Sequence, residues 1–171
     1  KNGSIYRVSY TRENETVEIP AGHLLSSMPL PNLVALLEPK PPEKVLAAAR
    51  KLTYRAFLIV GLIVAKKTLF PDQWIYVHSP DVKVGRIQNF KNWSAAMVPD
   101  PDKTSIGMEY FCNEGDTFWN RPDDELIDLA SQELSRLGLA AIDEVTDGIV
   151  VRQPKAYPIY NHEYGSHLEK V

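Results

Sequence analysis

The sequence predicts an α+β fold, a mainly antiparallel mixed sheet backed by helices. Short β-rich runs alternate with turn clusters rich in Pro, Asp and Ser, spaced too closely for the long crossovers of a parallel sheet. One amphipathic segment, residues 123–137, sets Leu126, Ala130, Leu134 and Leu137 along a single stripe, the spacing of a helix that covers a sheet. Residues 54–66 are apolar on both faces and β-branched, as an interior strand requires.

The elements follow in order. Residues 5–10 and 16–19 read as the strands of a hairpin separated by the polar residues 11–15. Pro20-Ala21-Gly22 turns the chain into a third expected strand, residues 23–28, which Pro29 ends because proline brings no amide donor to a ladder. Five prolines between 29 and 42 frame a short helix at 32–37, and a second helix, 43–52, is supported by Ala47, Ala48 and Ala49. Beyond the strand at 54–66, further strands are expected at 74–78, 83–90 and 104–112. Pro71-Asp72, Ser79-Pro80-Asp81 and Pro99-Asp100-Pro101-Asp102 supply the turns of an antiparallel meander. The helix at 123–137 opens on acids and stops at Gly138. A last strand, 145–152, leads through Pro154 and Pro158 into an exposed tail in which His162, Glu163 and His167 sit on a solvated loop.

The net charge of −3 comes without a block of like charges, which excludes a nucleic-acid footprint and a basic membrane patch. Small molecules or another protein surface are the expected partners. Cys112 is the only cysteine, so there is no internal disulfide, and a reducing, cytoplasmic setting with a buried thiol is expected. The longest apolar run, 56–65, is about half of the ~20 residues a spanning helix needs. The chain opens on Lys1 and closes on a polar run, and both ends read as cuts in a longer polypeptide.

Most chemistry-bearing motifs are absent. No pair of glycines is spaced to bring backbone amides onto a phosphate, as dinucleotide and nucleotide loops do. His162-Glu163 and His167 imitate a zinc-binding helix, but the histidines are five apart and Gly165-Ser166 lies between them, so no metal is expected. No nucleophile elbow occurs, and the Asn-x-Ser/Thr triplets at Asn2, Asn14 and Asn92 lack a secretory segment to give them meaning. The stretch from Pro39 to Pro42 reads as helix punctuation rather than a polyproline ligand. A polar and aromatic set is left: Arg86 in an apolar strand, Asn89, Trp93 and Ser94 after it, and Tyr157 and Tyr160 further on. An arginine there is costly unless it meets an anion or acceptors, whether those belong to a ligand, to solvent or to a salt bridge of the protein itself. No residue is a candidate catalytic acid or base.

Three segments resemble one family. Leu24-Leu25-Ser26-Ser27-Met28-Pro29-Leu30, between a hairpin and a leucine-rich helix, is similar to the crossing strand of FAD-dependent amine oxidases, protoporphyrinogen oxidases and UDP-galactopyranose mutases. The segment Val84-Gly85-Arg86 through Trp93-Ser94 resembles the mutase-type strand whose arginine faces the substrate, and Lys155-Ala156-Tyr157-Pro158 resembles a later Tyr-Pro element bordering the substrate cavity. The resemblance implies that residues 1–28 are a hairpin and strand from the edge of an FAD-binding domain, with Met28 and Pro29 beside the cofactor, and that 29–171 are a substrate-binding domain. It implies that Arg86 fixes a polar or anionic substrate group, Asn89 adds a directional hydrogen bond, and Trp93, Tyr157 and Tyr160 supply walls. FAD would be held mainly by the remainder of the flavin-binding chain, and this piece alone would be inactive. A nucleotide-sugar mutase and a non-enzymatic binding or assembly module stand as the alternatives.

Overall fold

The computed structural model describes residues 4–171, so the Asn2 triplet lies outside the described residues except for Ser4. The chain divides into two compact units, residues 1–51 with 166–171, and residues 52–165.

The first unit opens on a hairpin of β1 (Arg7–Arg12) and β2 (Glu15–Pro20), paired in register from Arg12↔Glu15 to Arg7↔Pro20. Glu13 and Asn14 both have positive φ, 50° and 68°, which makes the loop the two-residue turn whose twist suits a hairpin. The strands are therefore longer and the loop tighter than the polar run 11–15 implied. Residues 23–28 are not a strand. No strand among the described residues pairs with them, and Leu25 is almost fully exposed, so neither a ladder nor a core holds the segment extended. Next come α1 (Leu30–Leu36) and α2 (Glu43–Arg50), which pack on each other and bury Val34, Ala48 and Ala49.

The second unit is built on a five-stranded antiparallel sheet. Its strands are β3 (Tyr54–Val64), β4 (Trp74–Tyr76), β5 (Arg86–Asn89), β6 (Thr104–Cys112) and β7 (Val145–Pro158), in the order β4-β5-β6-β3-β7. The α+β class and the antiparallel sheet agree with the sequence; no pair is parallel. The interior strand β3 pairs with β6 on one side and β7 on the other. Between β5 and β6 lies α3 (Phe90–Trp93), and α4 (Asp123–Arg136) covers the sheet. Gly138 has φ 72°, and the amides of Gly138 and Leu139 bond back to Ser135 and Leu134, closing α4 as the sequence indicated. A short α5 (Tyr164–Leu168) stands where a loop was expected.

The pleat assigns the two faces of this sheet. Ala56, Leu58, Val60, Leu62 and Val64 alternate onto the face that packs with Leu126, Ala130 and Leu134 of α4 and with Ile106, Met108 and Tyr110 of β6. Arg152 fastens that layer, its guanidinium donating to the Trp119 and Arg121 carbonyls at 2.9 and 2.6 Å and to Asp123 at 2.6 Å. On the opposite face the Phe90 ring of α3 rests over Gly107 beside the Ile59 side chain, and the aromatic residues lie further along the strands.

Candidate functional site

Antiparallel partners point to the same face, so the register alone lists the residues of the open face. Tyr76 pairs with Arg86, Arg86 with Glu109, Phe57 with Phe111, and Arg55 with Tyr157. Trp74 joins them two residues from Tyr76. Aromatic side chains from β3, β4, β6 and β7 thus meet around one arginine on β5.

That arginine is enclosed. The Arg86 guanidinium carbon lies 4.8 Å from the ring centre of Phe111, 5.0 Å from Trp74, 5.6 Å from Phe57, 5.8 Å from Tyr157 and 6.0 Å from Tyr76, all within cation–π range. Its Nε donates to Glu109 Oε2, and Nη2 donates to the Tyr157 hydroxyl at 2.9 Å. Gln88 Nε2 donates to the other Glu109 oxygen. Burial opposes the Arg86 charge, but the Tyr157 bond, the charge of Glu109 and the contact with Tyr76 outweigh it and hold the guanidinium above its ordinary pKa. Side-chain exposure is 11% for Arg86 and 1% for Glu109, so the pair is closed within the protein.

Tyr157 reaches this cluster through a bulge. The β3–β7 register slips between Arg55↔Tyr157 and Phe57↔Gln153, and Lys155 within the slip has φ 57°. Pro154 cannot donate to a ladder, and β7 is an edge strand, where such a break is tolerated. The strand therefore runs on past Arg152, where the sequence had ended it, and returns Tyr157 to the face that holds Phe57.

Of the residues singled out in the sequence, Arg86 and Tyr157 come together. Asn89 is on the other face: it pairs with Ile106 and is 1% exposed, with its Nδ2 3.4 Å from the Phe70 carbonyl and its Oδ1 buried without a partner. Trp93, at the end of α3, is exposed and is not among the rings around Arg86. Tyr160 is exposed and stacks edge-on with Tyr164, ring centres 4.8 Å apart. Met28 and Pro29 belong to the other compact unit. Glu109, Gln88, Phe57, Trp74, Tyr76 and Phe111 were not singled out.

Other polar groups serve the fold. Glu133, buried under the sheet, accepts from the amides of Lys83 and Val84 at 2.7 and 3.1 Å and from the Tyr110 hydroxyl at 3.0 Å. Burial and then the Glu133 charge push the Tyr110 phenol far above its usual range. Lys91 Nζ donates to the carbonyls of Lys67, Pro101 and Lys103 at 3.0, 2.5 and 2.7 Å, and Asn92 ties down those of Phe70 and Asp72. The Cys112 thiol is buried and its pKa raised, first by burial and then by Asp116. Among the described residues no group of three or more His, Cys, Asp or Glu is arranged to hold a metal, and no helix is long and apolar enough to cross a membrane. Two surface hollows, ≈ 680 Å³ beside α2 and ≈ 570 Å³ between α4 and β7, both lie away from Arg86.

The chain combines an antiparallel sheet that keeps one face under a helix with exposed aromatic side chains on the other, a layered α+β arrangement. This is the fold of part of a reduced UDP-galactopyranose mutase, matched with TM-score 0.73 and 19% identity over 97% of this chain. A protein from Exiguobacterium sp. 255-15 assigned as a protoporphyrinogen oxidase matches with TM-score 0.63 and 18% identity over 96%. This chain spans 35% of the length of each. No protein-family model and no curated protein matches the sequence. Both solved structures bear names that the sequence motifs resemble, and at these identities the likeness is one of fold.

Proposed function

We propose that this chain is the substrate-facing portion of an FAD-dependent oxidoreductase, with the open face of the five-stranded sheet as a wall of the substrate cavity. The carrying observation is the convergence of five rings, that of Tyr157 among them, on Arg86 at the face opposite α4. Residues 29–171 then form the substrate-binding domain, and residues 1–28 belong to the edge of the FAD-binding domain, with Met28-Pro29 leading out of it. FAD would supply the redox chemistry, while these residues position the substrate and exclude water. The chain has no glycine-rich phosphate cradle, so its residues do not fit the pyrophosphate half of that cofactor; that half falls to the remainder of the longer chain. The single buried thiol suits a reducing, cytoplasmic setting.

A nucleotide-sugar isomerase on the same scaffold would need cations for phosphates. The commitment of Arg86 to Glu109 weighs against that alternative. A non-enzymatic module would leave the aromatic face without a reacting partner.

The test uses the full-length flavoprotein. Trp74→Ala, which removes a half-exposed ring from the face, should raise KM about tenfold with flavin content unchanged. Loss of flavin at unchanged KM would overturn the reading.

A further inference from the structure

Resting on the reading of the open face as a substrate wall, we infer that its ligand is an uncharged, flat, conjugated molecule presenting one hydrogen-bond acceptor, such as a carbonyl oxygen. The charge balance carries this. Arg86 is the cation at the centre of the face, and its charge is answered by the carboxylate of Glu109, which is itself 1% exposed. Both Glu109 oxygens are occupied, one by Arg86 and one by Gln88. An incoming phosphate or carboxylate would have to displace the Tyr157 hydroxyl from Arg86, and would then meet Glu109 as a like charge in a site shielded from water. Arg55, which the register also brings to this face, lies at the strand end, where its charge adds to the Asn113 and Trp119 amides that hold Asp116 below its ordinary pKa. The centre of the face offers no net charge to a ligand.

It does offer rings. Trp74, Tyr76, Phe111 and Tyr157 are each two-fifths or more exposed, and Trp74 and Tyr76 lie 5.1 Å apart between ring centres. The rings are tilted to one another, Trp74 and Tyr76 by 41° and Phe111 and Tyr157 by 49°, so a planar π-system stacks on one exposed ring and meets its neighbours edge to face. The Tyr157 oxygen accepts from Arg86, and among the described residues no acceptor takes the hydroxyl's own proton. That proton is placed to be donated, in one direction, to an acceptor on the ligand.

The experiment titrates the flavin-loaded full-length protein with prodan, an uncharged naphthyl ketone, and separately with UDP. Prodan emission reports transfer to the rings, and the visible flavin band reports proximity to the cofactor. Prodan should bind with a blue-shifted emission and perturb the flavin band. Tyr157→Phe should weaken it about fivefold through loss of one neutral hydrogen bond. Trp74→Ala should also weaken it, and UDP should not compete. The ligand class is overturned if prodan does not bind, if it binds both variants as well as the parent, or if UDP displaces it. UDP binding that perturbs the flavin would sink the ligand class and keep the substrate wall. Prodan binding that depends on Trp74 and Tyr157 but leaves the flavin band unmoved would keep the ligand preference and sink the wall.

Discussion

Arg86 shows what a strand position demands of a charged side chain. A guanidinium on an apolar sheet is tolerated because Glu109, Tyr157 and the surrounding rings replace its water. Removing one partner is expected to cost far more than removing both. Arg86→Ala should lower stability by about 3–5 kcal/mol by leaving Glu109 buried and unpaired, whereas Arg86→Met with Glu109→Leu should recover most of that, as read from urea midpoints at constant m-value. A second prediction concerns Tyr110. Its phenol stays protonated in the fold, while in the unfolded chain it ionises near the ordinary value of about 10. Above that pH the unfolded state binds fewer protons than the folded one, so this contribution is complete below about pH 10 and is lost as pH rises further. In an alkaline absorbance titration one phenol should titrate only when the chain unfolds, and Tyr110→Phe should abolish that late step. Arg86 and Tyr157 were legible in the sequence, the first as a misplaced charge and the second through its Tyr-Pro setting. Asn89 is three residues from Arg86, an odd step along a strand, and the pleat alone sends it to the opposite face. Glu109 was hidden because one acid in an alternating strand looks solvated until the register shows which residues flank it.

At the level of elements, local chemistry was readable wherever one residue type decides the backbone. Strand β6 occupies the expected residues 104–112, and α4 begins on its acids and stops before Gly138, because caps and alternation are short-range signals. Residues 23–28 have strand-like composition yet no partner to pair with, and pairing is not written in a single segment. The extension of β7 was equally hidden, since Pro154 reads as a terminator unless the strand is known to lie at the sheet edge. Close approach is the other element-scale constraint. A Cβ on Gly107 would sit 2.9 Å from the tip of the Phe90 ring and 3.3 Å from the Ile59 side chain, so an added methyl would force the ring of α3 to shift from its seat on β6. Gly107→Ala should therefore destabilise the protein by about 1–3 kcal/mol, and Phe90→Leu in the same chain should return part of that loss. Thermal melts of the two single variants and the double variant measure this, and an additive result would mean that the ring is not what Gly107 accommodates.

For the whole molecule the decisive property is how unevenly burial is distributed. The sequence placed a change of role near Pro29, while the compact units divide after Lys51. The reason is physical: prolines mark where the backbone changes direction, whereas compactness depends on which apolar surfaces meet, and α1 and α2 beyond Pro29 bury their own few contacts. In the second unit, β3 and β6 run through the middle of a continuous core. In the first, β1 and β2 form a two-stranded sheet whose residues are exposed apart from partial cover of Val8 and Val17. A hairpin of that kind is held by its turn, by cross-strand pairs such as Arg7–Glu18 at 2.8 Å, and by little burial. Native-state hydrogen exchange on the 171-residue chain should separate the two sheets. Amides of β3 and β6 should open only with global unfolding, on the order of 5–15 kcal/mol, while those of β1 and β2 should open for no more than about 1–2 kcal/mol. Equal protection of both sheets would mean that the hairpin is covered in solution. If the hairpin instead belongs to the edge of a cofactor domain, its amides should gain protection in the full-length flavoprotein while those of β3 and β6 stay unchanged.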